Sequence, residues 1–258
     1  MILNNHAETV TSVTHNGITT ITFNDGNSNN LSALTLANLA KAIASAGYNT
    51  HTKVIILKSE GEKIFCSGAS FNELCNINNV TDGIIFFKGF ATVINAMRKC
   101  PKLIIGRIQG KCVGGGVGIA AAVDYAIATD ASDIKLSELA FGIGPFVVGP
   151  AVERKIGAAA FSHLAIDATK WRSASWAKQK GLFAETHPNI AAMDESINHL
   201  ATTLAHSNPN AMHKIKEVFW EGCNHWDELL NNRAAISGAL ILSQHSKDAI
   251  AAFKAKIK

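Results

Sequence analysis

The sequence lacks the features that identify several large classes of protein. No five like charges occur in a row among its 258 residues, and no aromatic residues alternate with basic ones, so nucleic-acid binding is not expected. The ten histidines and five cysteines form neither an H-E-x-x-H motif nor a C-x-x-C pair, so no metal site is predicted. No apolar run of twenty residues and no signal peptide is visible, which favours a cytoplasmic protein with reduced thiols and no membrane contact.

Charged residues are also scarce. They make up 17% of the chain, whereas hydrophobic residues make up 47%. A chain of this length can bury a sizeable core, either as one large domain or as a domain with a helical tail. The shortage of charge leaves apolar side chains on the surface, which favours association of several copies.

Glycine is concentrated in one segment, 110–124, which reads GKCVGGGVGIAAAVD between two apolar strand-like runs. The segment does not fit G-x-G-x-x-G, because Ile119 stands where the last glycine should be. It does not fit a P-loop either, because Cys112 replaces the hydroxyl residue. A strand that turns on glycines into a helix leaves backbone N–H groups free to bind an anion or an oxyanion. Tight packing of the helix on a sheet is the alternative role for these glycines.

A second segment of small residues, 64–74, reads IFCSGASFNEL and follows the apolar strand predicted at 54–57. It also turns into a predicted helix. Two such turns can direct two N–H donors at one oxygen, which is how the enolate of a thioester would be stabilised. Cys66 lies in this turn, but no histidine lies near it in sequence, so we expect a buried thiol rather than a nucleophile.

The order of periodic segments predicts an α/β fold. Alternating residues around Asn16-Gly17 predict a hairpin. Further strands are predicted at 54–57, 103–108, 125–128 and 134–136, and helices at 34–46, 82–97 and 115–122. After Pro188 the pattern is wholly helical, with helices predicted at 190–204, 212–220, 227–244 and 246–257. A doubly wound sheet and a coiled stack of ββα units both fit this order, with a core over 1–189 and a helical region over 190–258.

The two glycine segments together resemble the enoyl-CoA hydratase/isomerase (crotonase) superfamily. Other similar segments follow in the expected order, at 30–32, 137–143, 173–174, 181–183 and 246–253. The resemblance implies a crotonase-like coiled ββα superhelix (spiral) with a C-terminal helical trimerisation region, assembled as a homotrimer or as a hexamer of two trimers. It also implies an acyl-CoA thioester as substrate and no cofactor beyond the coenzyme A that the substrate carries.

Protons must move at carbon in this chemistry, and Glu138 is the candidate acid/base. It lies in an apolar stretch, where the pKa of a carboxyl group rises toward neutrality. The residues alone leave open a surface glutamate or a partner for Arg154. The resemblance implies that Glu138 is catalytic and that the N–H groups of Ala69 and Gly115 form an oxyanion hole. It implies substrate contacts for six further residues: Ser67, Gly68, Gly114, Gly116, Gly118 and Phe253.

Three positions depart from the family's pattern. Gly118 stands where typical hydratases carry a second glutamate, Ser70 replaces an aspartate, and the segment 145–150 replaces a glycine-rich loop. Ser70 is expected to cap a helix. A single glutamate favours a proton shuttle, and so isomerisation of a double bond. The motifs also resemble methylglutaconyl-type hydratases of leucine breakdown, and on that resemblance hydration of an enoyl-CoA is the main expectation. Isomerisation, decarboxylation and a catalytically silent acyl-CoA-binding subunit are the alternatives.

Overall fold

The computed structural model describes residues 8–256 of the chain. Its strands are β1 (Thr9–His15), β2 (Ile18–Asn24), β3 (Val54–Ser59), β4 (Ile64–Cys66), β5 (Leu103–Ile108), β6 (Lys111–Val113), β7 (Tyr125–Thr129), β8 (Ile134–Lys135) and β9 (Glu185–His187). Its helices are α1 (Ala33–Tyr48), α2 (Phe71–Cys75), α3 (Val80–Lys99), α4 (Gly115–Ala122), α5 (Gly149–Ile166), α6 (Ala174–Gln179), α7 (Ile190–Ala205), α8 (Pro209–Phe219), α9 (Trp226–Leu240) and α10 (Gln244–Lys256). A 3₁₀ turn, Glu138–Phe141, follows β8. The predicted α/β class is confirmed.

The larger sheet has the strand order β1-β2-β3-β5-β7-β9. Strands β1 and β2 form the predicted antiparallel hairpin, and Asn16 and Gly17 at its turn have positive φ angles of 48° and 80°. The remaining pairs in this sheet are parallel, because each connection between them includes a helix.

The smaller sheet has the order β4-β6-β8, and its strands are all parallel. Strands β4 and β6 have three residues each, which is too short for an alternating pattern to appear in the sequence. Since the carboxyl ends of parallel strands lie at one edge of a sheet, the segments that follow β4, β6 and β8 are brought side by side.

Helices α1, α3 and α9 supply much of the core against the large sheet. Helix α3 buries Phe86, Phe90 and Met97, while α9 buries Trp226 and Leu230 in the same hydrophobic cluster. Helix α3 is also long and apolar enough to span a membrane by length and composition alone, but the core helix of a globular protein passes the same test. The boundary predicted at residue 189 stays a prediction, because residues on both sides of it share this core.

A buried ion pair joins α8 to the large sheet. Lys216 Nζ lies 2.8 Å from Asp124 Oδ2, and both side chains are almost fully buried. Asp124 also accepts hydrogen bonds from the backbone N–H of Ile104 at 2.8 Å and from Trp220 Nε1 at 3.2 Å. These bonds satisfy the carboxylate that burial would otherwise destabilise. Asp124 therefore has a structural role.

The predicted helices 227–244 and 246–257 have different limits in the structure. Helix α9 ends at Leu240, and α10 begins at Gln244. Ser243 separates them because its hydroxyl accepts the N–H of Ser246 at 3.2 Å, as an N-cap residue does. The last predicted residue, Ile257, lies outside the described range.

Candidate active site

Three chain segments meet at the carboxyl edge of the small sheet. Ser67-Gly68-Ala69 follows β4, Gly114-Gly115 follows β6, and Ser137-Glu138 follows β8. All three line a cavity of about 850 Å³. The residues that the sequence analysis connects with catalysis, Ala69, Gly115 and Glu138, are thus brought together from positions as much as 69 residues apart.

The first segment places Ala69 beside the cavity. Leu31 anchors the turn on both sides, since its N–H donates to Gly68 O at 2.8 Å and its carbonyl accepts the N–H of Ser70 at 2.9 Å. Ser70 then caps α2 by accepting the N–H of Glu73, which confirms its predicted role. Within residues 8–256 no acceptor takes the N–H of Ala69 between these bonds.

The second segment does the same for Gly115. The N–H of Gly114 donates to Lys135 O at 2.9 Å, and Gly114 has a φ of +52° that favours glycine. Gly115 is the first residue of α4, so its N–H has no partner inside the helix. No other acceptor for it exists among the described residues.

The two turns are in direct contact. A Cβ atom on Gly68 would lie 2.9 Å from Val113 O and 3.5 Å from the N atom of Gly115. Any side chain at position 68 would therefore separate the turns. Two free N–H groups held this close, beside a cavity, form an arrangement able to stabilise an oxyanion.

Glu138 begins the 3₁₀ turn, and its carboxyl group lies against Gly114. A Cβ atom on Gly114 would be 3.2 Å from Glu138 Oε1. Glu138 Oε2 is buried and has no hydrogen-bond partner within residues 8–256. Burial raises the pKa of this carboxyl to about 7, while a hydrogen bond from its own backbone N–H lowers it by less. A carboxyl with this pKa can take up or release a proton at neutral pH.

The other interpretations of Glu138 and Cys66 find no support. Arg154 donates to Phe219 O and lies 4.0 Å from the ring centroid of Trp220, so it is not a partner of Glu138. Burial raises the pKa of the Cys66 thiol to about 12, which suppresses the thiolate that a nucleophile requires.

Two of the predicted substrate contacts are not among the residues that line the cavity. Gly116 and Gly118 are buried within α4. A Cβ atom on Gly116 would lie 2.5 Å from Cys66 O, and one on Gly118 would lie 2.5 Å from Val148 Cγ1. These glycines allow α4 to pack closely, and Val148 occupies the space next to Gly118. Ser67, Gly68, Gly114 and Phe253 do line the cavity.

Much of the cavity wall is apolar. The apolar residues that line it include Phe87, Phe90, Ile143, Val147 and Val148, so the loop at 145–150 helps to shape the cavity. Glu138 is the single carboxylate among the described lining residues. A molecule bound in the cavity would therefore meet a largely hydrocarbon wall and one acid/base.

Phe253 brings helix α10 to the mouth of the cavity. Its ring centroid is 5.0 Å from that of Phe71 and 5.2 Å from that of Phe141. Helix α10 also presses on the turn that carries Glu138, because a Cβ atom on Gly142 would be 2.6 Å from Ser246 Oγ. The C-terminal helix thus supports the position of Glu138.

The cavity is also lined by polar residues that no pattern in the sequence indicates, namely Asn27, Ser28, Lys135 and Thr169. Lys135 ends β8, a strand of only two residues, which is too short to show a pattern from which its place in the cavity could be inferred.

The pKa of Glu138 sets an expected pH dependence. If the ionised carboxylate is the base, kcat/KM should rise about tenfold per pH unit below pH 7 and level off above it. Initial rates measured between pH 5 and 9 would give this profile. A flat profile through pH 7 would contradict the assignment of Glu138 as the base.

Comparison with known proteins gives a consistent result. A family model described as enoyl-CoA hydratase/isomerase matches residues 13–258. The peroxisomal Delta(3,5)-Delta(2,4)-dienoyl-CoA isomerase of Arabidopsis thaliana is 26% identical over 84% of this chain and 82% of its own length. The mitochondrial 3-hydroxyisobutyryl-CoA hydrolase of Bos taurus is 33% identical over 112 residues, but these are 41% of this chain and only 29% of that protein.

Solved structures share the fold of this chain. The crystal structure of enoyl-CoA hydratase from Bacillus halodurans superposes with a TM-score of 0.87, covering 94% of this chain and 99% of that one at 20% identity. The predicted coiled ββα superhelix is confirmed by this similarity.

Proposed function

The chain belongs to the enoyl-CoA hydratase/isomerase family, and from this premise we propose that it moves the double bond of a 3-enoyl-CoA thioester to position 2. The observation that carries the proposal is one buried carboxyl, Glu138, with an unpartnered oxygen beside two free backbone N–H groups. The cavity supplies what a proton shuttle needs, and its lining offers no second carboxylate among the residues that the structure describes.

Each step can be assigned to a group in this site. The thioester oxygen accepts the N–H groups of Ala69 and Gly115. Glu138 takes a proton from C2 of the substrate, and the electron pair moves into a dienolate whose charge lies on that oxygen. Glu138 then returns the proton to C4, which leaves the double bond between C2 and C3. The coenzyme A portion would extend past Ser67 toward Phe253 at the mouth.

Hydration, the main expectation from the motif resemblance, receives less support. Addition of water across a double bond is helped by a second carboxylate that orients the water. The position that would supply it is Gly118, and Val148 fills the adjacent space.

A catalytically silent subunit is disfavoured because an unpartnered buried carboxyl costs stability without benefit to a purely binding protein. Assembly as a homotrimer, a cytoplasmic location and a part in leucine breakdown remain proposals.

The deciding experiment follows the ultraviolet absorbance of the conjugated enoyl thioester. We expect purified protein to raise this absorbance with 3-hexenoyl-CoA and to leave it unchanged with 2-hexenoyl-CoA over the same time. Thiol release is measured in parallel, so that hydrolysis is detected. A fall of absorbance with the 2-enoyl substrate would establish hydration in place of isomerisation, and no change with either would favour the silent subunit.

Val148 occupies the space that a side chain at position 118 would need, so replacing both residues tests whether hydration can be introduced. We expect the double variant Gly118→Glu with Val148→Ala to hydrate 2-hexenoyl-CoA measurably, which the parent is not expected to do, since the smaller side chain leaves room for a second carboxylate. The same absorbance assay measures it. Val148→Ala alone is the control, and equal hydration by the control would show that space rather than the new carboxylate is responsible.

A further inference from the structure

Two lysines share one tryptophan ring at the edge of the small sheet. Lys135 Nζ lies 4.6 Å from the ring centroid of Trp171, and Lys111 Nζ lies 5.0 Å from the same centroid. Arg172 pairs with Ile134 through two backbone hydrogen bonds of 2.8 and 2.9 Å, which places Trp171 alongside β8. The cluster is therefore fixed by the backbone rather than by chance contact of surface chains.

The positive charge of this lysine–tryptophan cluster is not compensated. No Asp or Glu in residues 8–256 lies within 4 Å of either ammonium group. Burial lowers the pKa of Lys135, and the charge of Lys111 lowers it further. Two like charges beside each other, one of them half-buried, are stabilised when an anion binds between or near them.

One member of the cluster, Lys135, reaches the substrate cavity. Lys135 lines the cavity, as do Ala168 and Thr169, which precede Trp171. The strand order β4-β6-β8 puts Ser67 at one edge of the small sheet and Lys135 at the other, with Gly115 between them. The carbonyl of Lys135 accepts the N–H of Gly114, so its side chain starts next to the oxyanion site. An acyl group of a few carbons could span that separation.

We infer that the enzyme acts on thioesters of short dicarboxylic acids, whose free carboxylate is bound by Lys135 and Lys111 against Trp171. This inference rests on the proposed function, because it takes the thioester to lie at Ala69 and Gly115. It adds a specificity-determining cation pair to a site whose other acyl-facing wall is apolar. Lys135 is the closer of the two to the substrate, and Lys111 strengthens its field.

Binding to the inactive Glu138→Gln protein tests the inference without turnover. Calorimetric titration would compare glutaryl-CoA, which ends in a carboxylate, with pentanoyl-CoA, which has the same chain length and no charge. We expect Lys135→Met to weaken glutaryl-CoA binding about tenfold, and Lys111→Met to weaken it about threefold, with pentanoyl-CoA unchanged. Lys170→Met is the matched control, since it removes the same charge from an exposed neighbour outside the cavity.

The outcomes separate the alternatives. Equal loss of affinity for both thioesters in Lys135→Met would show that the lysines meet the phosphates of coenzyme A, and the inference would be wrong. No loss for either would also overturn it. Failure of the proposed isomerisation would appear in the absorbance assay instead, where it leaves the binding difference between the two thioesters untouched.

Discussion

Replacement of Glu138 by glutamine is expected to lower kcat by about 10³-fold and to leave the affinity for an acyl-CoA thioester nearly unchanged. Glutamine keeps the volume of the side chain but cannot take a proton from C2. The oxyanion donors at Ala69 and Gly115 remain in place, so binding of the thioester is preserved. Turnover is measured by the absorbance assay with 3-hexenoyl-CoA, and affinity by calorimetry with a saturated thioester.

Glu62→Gln is the control for this change, because Glu62 is exposed and does not line the cavity. It should behave as the parent in both measurements. Substantial turnover by Glu138→Gln would remove the proton shuttle from the mechanism. A parallel loss of affinity would instead indicate that the substitution disturbs the turn Glu138–Phe141.

The same variant should be more stable than the parent at high pH. The pKa of Glu138 is raised from 4.5 to about 7 in the folded protein, so folding favours its protonated form. The associated stability is fully present below pH 4.5 and is lost as the pH rises through 7. Above pH 7 the ionised carboxylate therefore lowers the free energy of unfolding by about 3 kcal/mol. Glutamine does not ionise and has no such effect. Urea unfolding at pH 5 and pH 8 would show the difference between the two proteins growing with pH.

Gly68→Ala is expected to lower kcat about 10²-fold and the free energy of unfolding by about 3 kcal/mol. Its φ of +93° disfavours any side chain, and the added Cβ atom would lie 2.9 Å from the backbone oxygen of Val113. Because that oxygen belongs to backbone, the turn itself must move. The N–H of Ala69 would then no longer point at the oxygen that Gly115 binds.

Gly61→Ala separates the strain of a positive φ angle from the displacement of the turn by the added Cβ atom. Gly61 has a similar φ of +78°, but nothing lies within 4 Å of the position where its Cβ atom would be. It should lose about 1 kcal/mol of stability and keep full activity. If Gly68→Ala also keeps full activity, the N–H of Ala69 is not needed for catalysis. Urea denaturation and the absorbance assay report both quantities for each variant.

The turns that hold Ala69 and Gly115 could be predicted because glycine and other small residues after an apolar strand indicate a specific backbone arrangement. Glu138 could be predicted because a carboxyl within an apolar stretch stands out. Strands β4 and β6 could not, since three residues show no period. Helix α5 was also not predicted, because Gly149, Pro150 and the kink at Gly157, where φ is +76°, interrupt the pattern.

The lysine–tryptophan cluster lay beyond sequence reasoning for a different reason. Lys111 and Lys135 are 24 positions apart, and Trp171 follows after another 36. Their proximity depends on the pairing of β6 with β8 and of Ile134 with Arg172, which are long-range contacts. A lysine in a sequence is usually interpreted as a solvated surface residue. Only the fold shows that Lys135 lines a cavity and lies beside Lys111 and Trp171.

The N–H groups that we propose as oxyanion donors belong to the peptide backbone, and this affects how the protein can change. Nineteen of the twenty amino acids carry an N–H, so replacing the side chain of Ala69 with any residue but proline leaves its donor chemically intact. The proton-handling group, in contrast, is the side chain of Glu138 on a separate turn. The apolar residues that shape the cavity lie on another separate segment, the loop at 145–150. New reactions can therefore arise by substitution at Glu138 or in the loop at 145–150, one at a time. The N–H groups proposed to stabilise an enolate are retained as long as the backbone fold is retained.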